Sequence, residues 1–286
     1  MVCVTVAFFE LLRNRLFCMN TLLESPKLIN FNNAEIEYQL TGKSNKKTIL
    51  FIHGLGANLS QFEAQHLYFN SKFNVLSISL PGHGNSFLHK NYIPSEFTLP
   101  ALSGYIMELL NELDIDKVHV VANSMGGNIG YEMLQSNPER INSLTTFGTS
   151  AEIIASFAKM AFMKFVFNML PLKAISQVAK QAGQTEASRN KIKKMVGAAD
   201  KRALISILPN LAKLDYLEVI KSTTTPSMII KGDKDAEINK ALVSTISEFK
   251  ARGNFELYEM KSAGHYVNLD QPDLFNKVLE AFIEKC

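Results

Sequence analysis

The chain has 286 residues and a mass of 31.9 kDa; 47% of its residues are apolar, 20% are charged, and the formal net charge is +3. That length and apolar content supply one sizeable core, which excludes a disordered chain, a collagen-like repeat and a disulfide scaffold. A net charge so near zero argues against wholesale nucleic-acid binding. The three cysteines (Cys3, Cys18, Cys286) sit at the two ends, with no zinc cluster or disulfide framework between them, and fit a reducing, cytoplasmic setting.

Residues 1–20 open with MVCVTVAFFELL, an apolar run interrupted by Glu10 and followed by Arg13 and Arg15. A membrane span needs ~20 apolar residues, so the run is too short. It also lacks the basic start and small-residue cleavage site of a secretory signal. Three readings stay open: an upstream extension with Met19 as the working start, a helix lying on a membrane surface, or a segment packed on the core. The second implies weak peripheral membrane association.

From Ile36 short apolar runs alternate with helical stretches. The runs IEYQL (36–40), TILFIHG (48–54), FNVLSISL (73–80), KVHVVANS (117–124), SLTTFGT (143–149), SMIIKGD (227–233) and FELYEM (255–260) read as strands bounded by Gly, Pro, Asn and Asp. Helices are expected over Leu99–Leu113, Gly126–Ser136, Ile238–Lys250 and Asp273–Glu284. This alternation predicts a mostly parallel sheet covered by helices on both faces, built from residues 21–150 and 214–286. Residues 151–213 interrupt it with no strand-like run and read as several helices, a cap over the sheet. Eleven Lys and Arg against three Asp and Glu give this insertion +8 and leave the rest of the chain −5. Within it Phe162, Phe165, Val166, Met169 and Leu170 make a helical apolar stripe. The stripe either packs cap helices together or lines an acyl pocket.

Ser124 stands at the end of KVHVVANS, before Met125, Gly126 and Gly127 and a helical stretch. This is the strand–turn–helix context of a nucleophile elbow, whose sharp turn demands small residues two before and two after the serine. Ala122 and Gly126 meet that demand. A serine hydroxyl needs a base, and the base an orienting acid. His265 follows the last strand-like run, and Asp233 and Asp235 follow the preceding one, so the chain order is Ser…Asp…His with all three at strand carboxyl ends. The transition state of acyl transfer needs preorganised donors. The Met125 amide is one, and the Leu55 amide in the His53-Gly54-Leu55-Gly56 loop is the expected second. His53 reads as a loop-holding residue, and His83 and Ser86 in PGHGNS (81–86) as structural.

HGLG, PGHGNS, ANSMGG, GDKD and AGH, in this order, resemble the α/β-hydrolase superfamily over residues 30–286. The resemblance implies the α/β-hydrolase fold with a helical cap inserted between strands. It also implies Ser124 as nucleophile, His265 as base and Asp235, the second aspartate of GDKD, as acid. NSMGG is similar to the elbow of carbon–carbon bond hydrolases of aromatic degradation and of many small carboxylesterases. Departures are Ala122 for the usual glycine, HGLGAN for a Gly-Pro-rich oxyanion loop, and Tyr266 where a tryptophan often follows the histidine. A serine at the elbow argues against haloalkane dehalogenases and epoxide hydrolases, which use aspartate there. The sequence holds no P-loop, no H-E-x-x-H motif and no metal-ligand cluster, so no cofactor or metal is implied.

The expectation is a serine hydrolase that cleaves a small-molecule carboxylic ester through an acyl-enzyme. Gly54, Phe162, Phe165, Met169 and Tyr266 are its candidate pocket residues. A carbon–carbon bond hydrolase, a thioesterase, or a ligand-binding protein on the same fold are the alternatives.

Overall fold

The computed structural model describes residues 23–31, 34–42, 47–89, 93–154 and 157–286. The apolar run 1–20 lies outside the described residues. Each of the seven expected runs overlaps a strand, several running one or two residues past its end: β2 (Ala34–Thr41), β3 (Thr48–Ile52), β4 (Asn74–Ser79), β6 (Val118–Asn123), β7 (Ile141–Phe147), β10 (Ser227–Gly232) and β11 (Phe255–Met260). With β1 (Lys27–Phe31) at one edge, the sheet runs β1-β2-β4-β3-β6-β7-β10-β11, and β5 (Phe87–Leu88) also pairs with β2. Strands β4 through β11 are parallel in this order, and β1 and β2 run antiparallel to their neighbours.

The pleat divides the core. Leu50 and Ile52 of β3, Leu76 and Ile78 of β4, and Val118, Val120 and Ala122 of β6 point to one face. There they meet α2 (Leu99–Glu112), α3 (Met125–Ser136) and the inner side of α9 (Ala236–Arg252). Ile49, Phe51, Val75 and Val121 point to the other face, against Phe62 and Phe69 of α1 (Glu63–Phe69) and its approach, and against Phe275, Leu279 and Ile283 of α11 (Pro272–Ile283). Every residue of β3 and β6 is buried, as a central parallel strand covered on both faces requires. The four expected helices correspond to α2, α3, α9 and α11 with shifts of one or two residues at their ends. Thr98 caps α2 by accepting from the Ala101 amide at 3.3 Å.

Between β7 and β10 the chain leaves the sheet for α4 (Phe157–Met169), α5 (Leu172–Ala179), α6 (Glu186–Gly197) and α7 (Lys201–Leu211), and returns through α8 (Leu217–Ser222). The expectation of no strand in 151–213 is corrected here. β8 (Glu152–Ile154) and β9 (Lys213–Asp215) pair antiparallel and tie the two ends of the helical segment together. Three residues are too few to show a period of two, and their pairing spans some sixty residues of sequence, so local pattern does not reveal them. The segment lies across the carboxyl-end loops. A Cβ on Gly56 would touch Val196 of α6 at 3.3 Å, and one on Gly82 would overlap the Ala203 Cβ of α7 at 2.5 Å. The Asp200 amide donates to the Gly82 carbonyl at 2.7 Å, and Lys191 of α6 pairs with Glu63 of α1 at 2.7 Å.

Candidate active site

Ser124 sits between the last residue of β6 and the first of α3, with φ 52° and ψ −122°. A non-glycine residue held at positive φ costs of order 1–3 kcal/mol and persists only when its surroundings fix it. Here they do. The Ser124 amide donates to the Phe147 carbonyl at 2.9 Å, and the Ser124 carbonyl accepts from the Gly127 amide at 2.8 Å. The turn is tight on every side: a Cβ on Gly126 would stand 2.5 Å from the Ile52 carbonyl oxygen, and one on Gly127 would stand 2.3 Å from Thr149 Oγ1. Ala122, two residues before the serine, is fully buried on β6 opposite Ile52 and Thr146, where only a methyl group stands.

His265 and Asp235 meet as the sequence order suggests. His265 Nδ1 lies 2.7 Å from Asp235 Oδ2, and the two side chains are 21% and 13% exposed. Asp235 stands immediately before α9, and its carbonyl accepts from the Asn239 amide at 2.9 Å. Asp233 does something else: its Oδ1 accepts from the Ala263 amide at 3.3 Å and its Oδ2 faces Lys234. The residue-level choice between the two aspartates is thereby narrowed by contact alone.

Met125 opens α3 beneath the turn, and its side chain is buried. Leu55 follows Gly54, whose added Cβ would approach Ser124 Cβ to 2.9 Å. Gly54 therefore faces the serine itself, and only a residue without a side chain fits there. Gly56 at φ 76° turns the loop back, and the Ala57 amide closes it on the Gly54 carbonyl at 3.1 Å.

His53 and His83 are structural. His53 is fully buried, accepts the Leu80 amide on Nε2 at 2.9 Å and faces its neighbour's carbonyl through Nδ1 at 2.7 Å. Burial, with the His83 ring 5.0 Å away, holds it neutral, its pKa pushed well below the usual imidazole value. His83 is likewise buried and lowered to about 4 by burial, with Nδ1 3.0 Å from the Pro81 carbonyl. The turn they hold is pinned from below by the buried Glu37 carboxylate, which accepts from Ser79 Oγ at 2.7 Å, the Asn85 amide at 3.0 Å and Asn85 Nδ2 at 2.6 Å. Ser86 Oγ donates to the Ser79 carbonyl, a structural role.

Of the expected pocket residues, Tyr266 is buried edge-on to the His265 ring, 5.4 Å between centroids, with its hydroxyl pushed up to about 12 by burial. It packs with Ala57 and with Ile175, Ile192, Met195 and Val196 of the helical segment. Phe162, Phe165 and Met169 are placed otherwise: they are 66%, 59% and 66% exposed, on the outer side of α4. Among the described side chains of that helix, Phe167 packs beside the Tyr266 cluster. The helix is apolar nearly all round, so periodicity alone does not identify its inner face.

Two residues at the site are absent from the sequence reading. Asn123, fully buried, donates from Nδ2 to the Phe147 and His265 carbonyls, both at 3.1 Å, so it clamps the elbow to the histidine loop. Its Oδ1 accepts from Gln61 Nε2 at 3.2 Å, and Gln61 bonds onward to Asn268. A polar side chain ending an all-buried apolar strand was the visible signal. Gly148, at φ 60°, passes against the His265 imidazole. Its partner is distant in sequence, and nothing local marks it.

Known proteins resemble this chain over most of its length. The family described as alpha/beta hydrolase fold matches residues 47–170. The 3-oxoadipate enol-lactonase 2 of Acinetobacter baylyi is 26% identical over 260 residues, covering 88% of this chain and 94% of that protein. The pimeloyl-[acyl-carrier protein] methyl ester esterase of Aeromonas hydrophila is 24% identical over 254 residues, covering 82% and 94%. The crystal structure of the enol-lactonase from Burkholderia xenovorans superposes with a TM-score of 0.80 at 21% identity, covering 90% of this chain and all of that one.

Proposed function

We propose that this chain is a serine hydrolase of the α/β-hydrolase superfamily that cleaves carboxylic esters, open or cyclic, through an acyl-enzyme, a reading supported by the family match and the shared fold. The observation that carries the reading is the His265–Asp235 pair at 2.7 Å, its loop clamped at 3.1 Å by Asn123, the neighbour of a serine held at φ 52°. The names of the relatives, an enol-lactonase and a methyl ester esterase, add support, since both describe cleavage at a carboxylic ester bond.

In this reading Ser124 Oγ attacks the acyl carbon while His265 Nε2 takes its proton. The oxyanion that forms is held by the Leu55 and Met125 amides, donors already fixed before the reaction, so no reorganisation is needed as charge develops. His265 then gives the proton to the departing alkoxide. Water enters, His265 removes a proton from it as its oxygen attacks the acyl carbon, and His265 returns that proton to the departing Ser124 Oγ, releasing the acid. Asp235 holds the imidazole in one tautomer and stabilises the imidazolium. Residues 151–213 act as the cap, with Tyr266 and the Ile192–Met195–Val196 cluster as the apolar wall nearest the histidine.

The test is covalent labelling. A fluorophosphonate is expected to modify Ser124 stoichiometrically, and Ser124→Ala is expected to abolish labelling together with hydrolysis of p-nitrophenyl esters and lactones. A vinylogous diketone run alongside separates carbon–carbon cleavage from ester cleavage. An adduct on a different serine, or turnover of the diketone alone, overturns the assignment.

A further inference from the structure

Asp270 lies at the end of α10 (Val267–Asp270), five residues past His265, and is 8% exposed. Among the described residues no cation is hydrogen-bonded to it. Instead its two oxygens accept from two backbone amides that belong to different parts of the molecule. Oδ2 accepts from the Gly264 amide at 2.9 Å, directly before His265. Oδ1 accepts from the Gln184 amide at 2.7 Å, in the loop between α5 and α6 of the helical segment. The Asp270 amide closes the turn on the Tyr266 carbonyl at 3.0 Å.

The two loops it joins also touch directly. The His265 amide donates to the Ala182 carbonyl at 3.3 Å. A Cβ on Gly264 would stand 2.6 Å from that same carbonyl oxygen and 2.7 Å from Gln184 Nε2. The histidine loop is therefore held between the elbow, through Asn123, and the helical segment, through Asp270. A carboxylate suits the second position. It carries acceptors on both oxygens and no donor, and hydrogen bonds to a charged acceptor are roughly twice as strong as neutral ones. An asparagine there would turn an NH₂ group toward one of the two amides.

We propose that Asp270 is a positioning residue for the reaction: its carboxylate sets the height of the His265 loop against the helical segment, and through that loop the alignment of the imidazole with Asp235 and Ser124. This rests on the reading of Ser124, His265 and Asp235 as the triad. The coupling also makes the seating of the helical segment and the alignment of the base one event, because the same carboxylate bonds both.

The experiment compares Asp270→Asn with the full-length wild-type protein by three measurements: the thermal midpoint, the rate of fluorophosphonate labelling at Ser124, and the far-downfield proton resonance of His265 Nδ1–H, which Asp235→Asn identifies by its loss. A misplacement of about an ångström remote from the chemistry can lower rates by ~100-fold. The expected result is a folded D270N protein whose labelling rate and kcat both fall by about that factor, with the downfield resonance displaced or broadened. A folded variant with wild-type labelling and an unmoved resonance overturns the proposal. Should D270N fail to fold, Gly264→Ala disturbs the same seam by its Cβ and carries the same two outcomes. The underlying triad is tested apart from this: if Ser124→Ala keeps labelling and hydrolysis, the triad reading fails whatever Asp270 does.

Discussion

Gly148 and His265 lie in contact: a Cβ on Gly148 would stand 2.9 Å from both Cε1 and Nδ1 of the imidazole. Gly148 follows β7 and has φ 60°, a conformation in which any side chain is also strained. The bare backbone at this point gives His265 the room to turn Nδ1 to Asp235. Gly148→Ala is therefore expected to move the ring off Asp235. Activity should fall on the order of 100-fold, while stability falls by only about 1–2 kcal/mol from the left-handed backbone. Ester hydrolysis and urea unfolding on the same preparation check this. A destabilised but fully active variant means the ring does not depend on that gap.

The two aspartates of GDKD are expected to separate cleanly. Asp235→Asn leaves an amide against His265 Nδ1 and favours the wrong tautomer; the corresponding change in a known triad lowers kcat by ~10⁴. Asp233 accepts only the Ala263 amide and faces the exposed Lys234. Asp233→Asn should then cost about 1 kcal/mol of stability and leave kcat within a few-fold. The reverse pattern moves the acid to Asp233.

The parts of the site that the sequence displays are those fixed by local chain geometry. Ser124 announces itself because the elbow forces small residues at Ala122 and Gly126, within the same five positions. His265 and Asp235 are visible because strands end where chemistry-bearing loops begin, and the chain order was informative. Asn123 reaches the His265 carbonyl across 142 residues and Asp270 reaches the Gln184 amide across 86, while Gly148 and His265 come from different loops, so no short window of sequence contains both partners. The same holds for the fold. The buried central strands are legible as apolar runs, whereas β1, mostly exposed at the sheet edge, and the three-residue β8 and β9 carry too little pattern.

Acid is expected to destabilise the protein through its buried imidazoles. His66, hydrogen-bonded to Thr41 Oγ1 and Ser77 Oγ at 2.8 Å each, is lowered to about 3 by burial. His83 and His119 are lowered to about 4, and His53 is lowered as well. In the unfolded chain each takes a proton near pH 6.5. The folded state refuses it until well below that, so the unfolded state binds more protons as pH drops. Stability is then full above pH 6.5 and declines through the window from 6.5 to about 4, by roughly 1.4 kcal/mol per pH unit for each such group. His66→Gln should flatten the slope between pH 6.5 and 5 by about one group's share. Urea unfolding at several pH values measures it, and an unchanged slope in the variant excludes His66 as a contributor.

The last expectation concerns the two sides of the helical segment. Ile192 is fully buried in the cluster that Tyr266, the neighbour of His265, shares with Met195 and Val196. Ile192→Ala removes methylenes from a packed cluster and should cost about 2–5 kcal/mol, with a rise in KM for bulky acyl groups. Phe162 and Phe165 stand outward on α4, 66% and 59% exposed. Surface substitutions away from special features usually change stability by within about 0.5 kcal/mol. Phe162→Ser and Phe165→Ser are therefore expected to leave stability, kcat and KM close to wild type across p-nitrophenyl esters from acetate to palmitate. If either serine variant raises KM selectively for the long chains, the outer face of α4 contacts the acyl group during turnover. The helical stripe would then be pocket lining after all, reached by a movement of the segment over the site.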